Sequence, residues 1–196
     1  MSTVRRSAAA VACVVLALVL LGCTSEPEDP PAEPEASSTP LQDFATDDVA
    51  IARGEFCARV APDAVAAALG AEPADADTWA NGDRTRLSDG VRDVAHEYGC
   101  SWTAADGSVA RAWVFAPPVT TSAAAALGRE SRRADGCRPV PDAPAYGDPS
   151  VAVRCGDEIA FHGLFGDAWL SCSLQTSELD RAGRWCVAVA QAASSD

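Results

Sequence analysis

The sequence predicts an α+β domain: an antiparallel sheet of about five strands with helices on one face, in the order α-β-β-α-β-β-β-α, carrying three disulfides. Three observations predict it. The apolar spacing is helical over residues 56–69 and switches to period two over residues 94–102. Turn dipeptides, Asp106-Gly107, Gly156-Asp157 and Gly166-Asp167, stand between short apolar runs. Six cysteines, Cys57, Cys100, Cys137, Cys155, Cys172 and Cys186, are spread through residues 51–196.

The elements follow in order. Residues 56–69 read as helix in two parts. Pro62 suits a first helical position and Asp63 a first turn, Val65 and Leu69 share a face, and Gly70 is a natural stop. Residues 71–90 are polar and Asp-rich, with Asn81-Gly82 marking a turn, and read as a loop. Val94, His96, Tyr98, Cys100 and Trp102 then alternate with polar or small residues, which predicts a strand with one buried face. Asp106-Gly107 turns the chain, and residues 109–115 return as the second strand until Pro117-Pro118 ends it. Residues 120–135, alanine-rich and then charged, predict a helix stopped by Gly136. A Pro-rich connection leads to three strands at 151–155, 159–165 and 168–174, an antiparallel meander. Ser177 is the expected cap of a last helix running to Ala193, with Gly183 weakening its middle.

Ahead of the domain lie two segments of different character. Residues 1–7 hold Arg5 and Arg6 and no acid, and residues 8–21 are an unbroken apolar run. That run is shorter than the ~20 residues a membrane span needs, and its charged start and small-residue end describe an export signal over residues 1–22. Its last residues, Leu20-Leu21-Gly22-Cys23, resemble the lipobox of bacterial lipoproteins. The resemblance implies cleavage after Gly22 and a diacylglyceryl thioether on Cys23, two acyl chains being what stable anchoring requires. The expected address is the outer face of the cytoplasmic membrane. The Arg5-Arg6 pair lacks the remainder of a twin-arginine pattern and reads as an ordinary positive start.

Residues 23–50 follow as a tether. Between Thr24 and Ala50 stand Glu26, Glu28, Asp29, Glu33, Glu35, Asp43, Asp47 and Asp48, five prolines and no base. Like charges and missing backbone donors predict an extended segment that buries no core. Whether its Leu41 and Phe44 dock back on the domain is open from the sequence.

The formal net charge is −13, and all 15 basic residues are arginine. Such an acidic surface argues against a nucleic-acid partner and against binding anionic head groups by charge. The absence of lysine excludes a Schiff base or a P-loop lysine. An even cysteine count in an exported domain reads as three disulfides, with 15 connectivities open. The sequential set, Cys57–Cys100, Cys137–Cys155 and Cys172–Cys186, is preferred because each pair would tie a helical segment to a neighbouring strand.

Cys57 before an apolar segment ending in Leu69-Gly70, then Cys100-Ser101-Trp102 opening a hairpin, together with the Gly147-Asp148-Pro149 turn, resembles a family of small actinobacterial lipoproteins. The resemblance implies a cell-envelope address and a Cys57–Cys100 pair, and it carries no catalytic residues.

No combination of residue types marks a catalytic or metal centre. His96 and His162 fall among apolar residues and read as packed, hydrogen-bonded core histidines. His96 and Glu97, as neighbours on a strand, point to opposite faces. Asp75, Asp77 and Asp83 miss the calcium-loop pattern, which needs a ligand where Trp79 stands and glycine where Ala80 stands. No cofactor is expected. Trp102, Trp169 and Trp185 lie within three residues of a cysteine and are expected against disulfides, and Trp113 on the second strand. Trp79 alone sits in a polar, turn-rich stretch, where an aromatic is either a contact residue or folded back on the domain. The expected function is a non-enzymatic envelope lipoprotein that binds a small apolar or cell-wall-derived ligand, or an envelope protein. A hydrolase of envelope components and a purely structural protein are the alternatives.

Overall fold

The structure, a computed structural model, describes residues 39–88 and 91–195. The expected signal, residues 1–22, the lipidation site Cys23 and the tether up to residue 38 lie outside the described residues.

The first helix forms as its sequence dictates. α1 (Pro62–Leu69) opens with Pro62 after Ala61 and ends at Gly70, whose φ of 75° a side chain would resist. The stretch expected to be loop, residues 71–90, holds β1 (Pro73–Trp79) and β2 (Arg84–Ser88), and β3 (Val91–Val94) follows it. β4 (Glu97–Ala104) and β5 (Val109–Phe115) are the expected hairpin; α2 (Thr121–Arg133) follows, capped by Thr120, whose hydroxyl accepts the Ala123 N–H at 3.2 Å. The last part is β6 (Cys137–Pro139), β7 (Ser150–Cys155), β8 (Glu158–Phe165), β9 (Ala168–Gln175) and α3 (Leu179–Ala193).

Seven strands form one antiparallel sheet in the order β1-β4-β5-β9-β8-β7-β6, and β2 and β3 pair as a separate ribbon. The expected five strands are therefore corrected to seven, and the element order changes accordingly. The additions escape a periodicity search for physical reasons. β1 is exposed on both faces from Ala74 to Thr78, so it carries no alternation of apolar residues. β6 is three residues long and contains a proline.

Alternation along the strands sorts the sheet into two faces. Trp102, Val114, Leu170, Cys172, Ile159 and Phe161 lie on one face, where Trp185, Val187 and Val189 of α3 complete the main core. α1 packs beside α3, with Ala61 and Ala64 against Ala188. On the other face, Ala124 and Leu127 of α2 meet Leu164 and Trp169. Those two residues alternate with core-facing Phe161, Phe165 and Leu170, so the helices occupy both faces and not one. Trp102 and Trp185 meet edge-on in the core, centroids 5.4 Å apart, whereas Trp169 stands on the α2 side, away from the disulfide expected beside it.

The three disulfides are Cys57–Cys100, Cys137–Cys155 and Cys172–Cys186, with Cα separations of 5.9, 4.1 and 5.5 Å. The first and third join a helical segment to a strand; the second joins β6 to β7, two strands. The end of the expected tether folds onto the domain. Leu41, 3 % exposed, sits over Gly183 of α3, where an added Cβ would lie 3.1 Å from the Leu41 Cβ, and Phe44 packs against the same core. Gly183 is thus a contact point, which explains a glycine in mid-helix.

Candidate functional site

The candidate site begins with β1. Trp79 ends this edge strand directly opposite Gly99 of β4. A Cβ on Gly99 would collide with the indole, so glycine is what allows Trp79 to lie across β4. The indole Nε1 donates to Glu97 Oε1 at 3.1 Å. Burial raises the Glu97 carboxyl above its ordinary value, opposed by the Trp79 hydrogen bond and by the charge of His96. Trp79 is therefore both folded back on the sheet and half-exposed.

The opposite wall is the 3-10 turn Cys57–Arg59. Phe56, 1 % exposed, plugs it into the core, and the disulfide to Cys100 binds it to β4. Arg59 Nε donates to the Ala192 carbonyl of α3 at 2.7 Å. Beyond Trp79, the Ala80 N–H donates to the Asp83 carboxylate at 2.8 Å and closes the turn into the ribbon. Between these walls lies a cleft of about 420 Å³, lined by Phe56, Ala58, Trp79 and Tyr98 together with the polar groups of Glu55, Arg59, Thr78 and Asp83. Its size falls within the few hundred Å³ of small-molecule sites. Its charged lining is Glu55, Asp83, whose carboxylate accepts the Ala80 N–H, and Arg59, whose Nε is committed to a carbonyl, beside an apolar and aromatic body.

The other singled-out residues lie elsewhere. His96 is exposed in the bend between β3 and β4, because the period-two run from Val94 to Trp102 is broken there between two sheets. His162 lies on the α2-side face of the sheet, stacked on Trp169 at 6.2 Å and edge-on to Trp113 at 5.9 Å. Its Nδ1 is 2.8 Å from the hydroxyl of Ser171, a residue with no exposed surface. A nucleophile needs access that Ser171 lacks, so the pair is a packed hydrogen bond. Asp75 and Asp77 alternate along exposed β1, and no three His, Cys, Asp or Glu side chains among the described residues are grouped to hold a metal ion. No helix among the described residues is long and apolar enough to cross a membrane.

Burial lowers the His162 pKa to about 4 from its ordinary 6.5. The unfolded chain then binds more protons between these two values, so the His162 contribution to stability is full above pH 6.5 and is lost as pH falls toward 4. The drop from 6.5 to about 4 sets an upper bound of about 3 kcal/mol on that loss. Glu97 and Glu158, both raised by burial, tilt the acid range the other way. The readout is therefore the difference between wild type and His162→Gln in denaturant midpoint at pH 7 and pH 4.5. His162→Gln should lose less stability on acidification; parallel losses would show that the ring is not neutral in the fold.

Comparison with protein families, with characterised proteins and with solved structures gave no match to this chain. Sequence reasoning found Trp79 as an aromatic out of place. It missed Glu97 as the indole's partner and the turn at Cys57 as the facing wall, since both depend on β1 being a strand.

Proposed function

We propose that the protein is a lipid-anchored domain of the cell envelope that binds a small neutral or cationic ligand in the cleft beside Trp79, without catalysing a reaction. The observation that carries the binding reading is the cleft itself: about 420 Å³, aromatic on one side and fixed by a disulfide on the other. The three disulfides support an oxidising compartment, and the residues up to Cys23 support export and lipidation. The one cysteine lining the cleft is bonded to Cys100, so it offers no free thiol.

The test uses protein labelled with 5-fluorotryptophan and a fluorine-NMR screen of small neutral and cationic compounds, sugar-derived ones included. The five tryptophans give five signals, and Trp79→Phe assigns the relevant one. Ligands should move the Trp79 signal, and Ala58→Phe, which fills the exposed mouth, should weaken them at least about tenfold, the worth of a lost apolar contact or two. Compounds that bind without moving Trp79 would place the site elsewhere.

A further inference from the structure

The two edges of the main sheet are treated differently. β6 is three residues long, contains Pro139, is bonded to β7 through Cys137–Cys155 and lies under α2. Those are the devices that keep an edge from pairing. β1 is seven residues long, pairs on one side only among the described residues, and is exposed throughout its middle. Pro73 and the irregularity between Pro73 and Asp75 blunt its first residues alone, leaving a regular edge from Asp75 to Trp79. We propose that this edge is a docking strand for an extended, basic segment of a partner protein, which adds to the sheet beside β1.

Charge selects the occupant. Asp75, Asp77 and Trp79 alternate onto one face and Ala76 and Thr78 onto the other, and β1 has no basic residue. Arginines or lysines at alternate positions of an added strand would fall opposite the two aspartates, where unlike charges stabilise a cross-strand pair. A second copy pairing antiparallel about Ala76 would set Asp75 against Asp77 twice, and like charges in that position oppose pairing. The chain's own tether, with Glu26, Glu28, Asp29, Glu33 and Glu35, is disfavoured for the same reason. The arginines Arg84 and Arg92 belong to the separate ribbon. The edge ends at Thr78 and Trp79, which line the cleft, so one side chain of the added segment reaches it. Strand addition takes affinity from main-chain hydrogen bonds and specificity from such pockets. The inference rests on the cleft reading only for that last contact.

The test uses the full chain and three nine-residue peptides: one alternating Arg and Val, the same with Glu for Arg, and the first N-methylated at alternate residues. Hydrogen exchange of the β1 amides and calorimetric affinity are read together. The Arg peptide should slow β1 exchange, and the Glu and N-methylated peptides should not. Asp75→Lys with Asp77→Lys, both on exposed positions, should weaken the Arg peptide about tenfold and admit the Glu peptide. Protection that persists in Ala58→Phe supports the edge independently of the cleft. Absence of β1 protection, equal binding of the N-methylated peptide, or concentration-dependent protection without peptide would overturn it, whether or not the cleft takes a ligand.

Discussion

Gly163→Ala is expected to leave little folded protein. Gly163 lies mid-strand in β8, and a Cβ there would fall on the carbonyl of Tyr146. That carbonyl cannot retreat cheaply. The Tyr146 ring is wholly buried, edge-on to Phe165 at 5.1 Å and to Phe161 at 6.3 Å. The next residues are bonded flat against β8: the Asp148 N–H donates to the Leu164 carbonyl at 2.8 Å, and the Leu164 N–H to the Pro149 carbonyl at 3.1 Å. Relief means moving a locked loop and opening the core, which places the cost above about 3 kcal/mol. Gly54→Ala, where the added methyl meets nothing and φ is not positive, should stay within ~0.5 kcal/mol of wild type. Denaturant titration of both variants, with soluble yield, checks this pair. A Gly163→Ala variant of near-normal midpoint would mean that the loop at 146–149 does not lie on β8.

Replacing Cys57 and Cys100 together by alanine is the second large effect. This bridge closes the longest loop of the three, 43 residues, against 18 and 14 for the others. In the chain-entropy model it contributes about 4 kcal/mol, and the shorter ones about 3 each. Cys100 is fully buried, and the turn at Cys57 has no helix of its own length to hold it. Loss of the bridge should therefore lower stability and also loosen the wall of the cleft, so ligand response falls further than in a variant lacking Cys137–Cys155. Equal effects of the two removals on ligand response would separate the cleft from the turn. Stability is read from the denaturant midpoint at unchanged slope, and ligand response from the Trp79 fluorine signal.

The hairpin was legible because its burial has a period: β5, and β4 in part, alternate buried and half-buried residues, with Gly107 at positive φ between them. The meander β7 to β9 is buried on both faces and was legible from its short apolar runs and the turn glycines Gly156 and Gly166, both at positive φ. α1 was legible from Pro62 and Gly70 for the same local reasons. β1 was not legible: an edge strand exposed on both faces owes its place to the hydrogen bonds of β4, which leave no mark on its own residue types. With β1 unseen, Trp79 looked like a loop residue, and its contact with Gly99 and Glu97 was out of reach. The placement of α2 on the second face was equally hidden, because alternating Leu164 and Trp169 with Phe165 and Leu170 shows two apolar faces without saying which helix covers each. The folded Leu41 was masked by its acidic, proline-rich surroundings.

The most direct test of a ligand in the Trp79 cleft is native mass spectrometry of the chain exported under oxidising conditions, beside its Ala58→Phe variant. The wild type should show three intact disulfides and a retained non-covalent mass that is absent from the variant. A mass retained equally by both, or a wild-type chain that takes up no compound from its own envelope, would contradict the cleft as a ligand site.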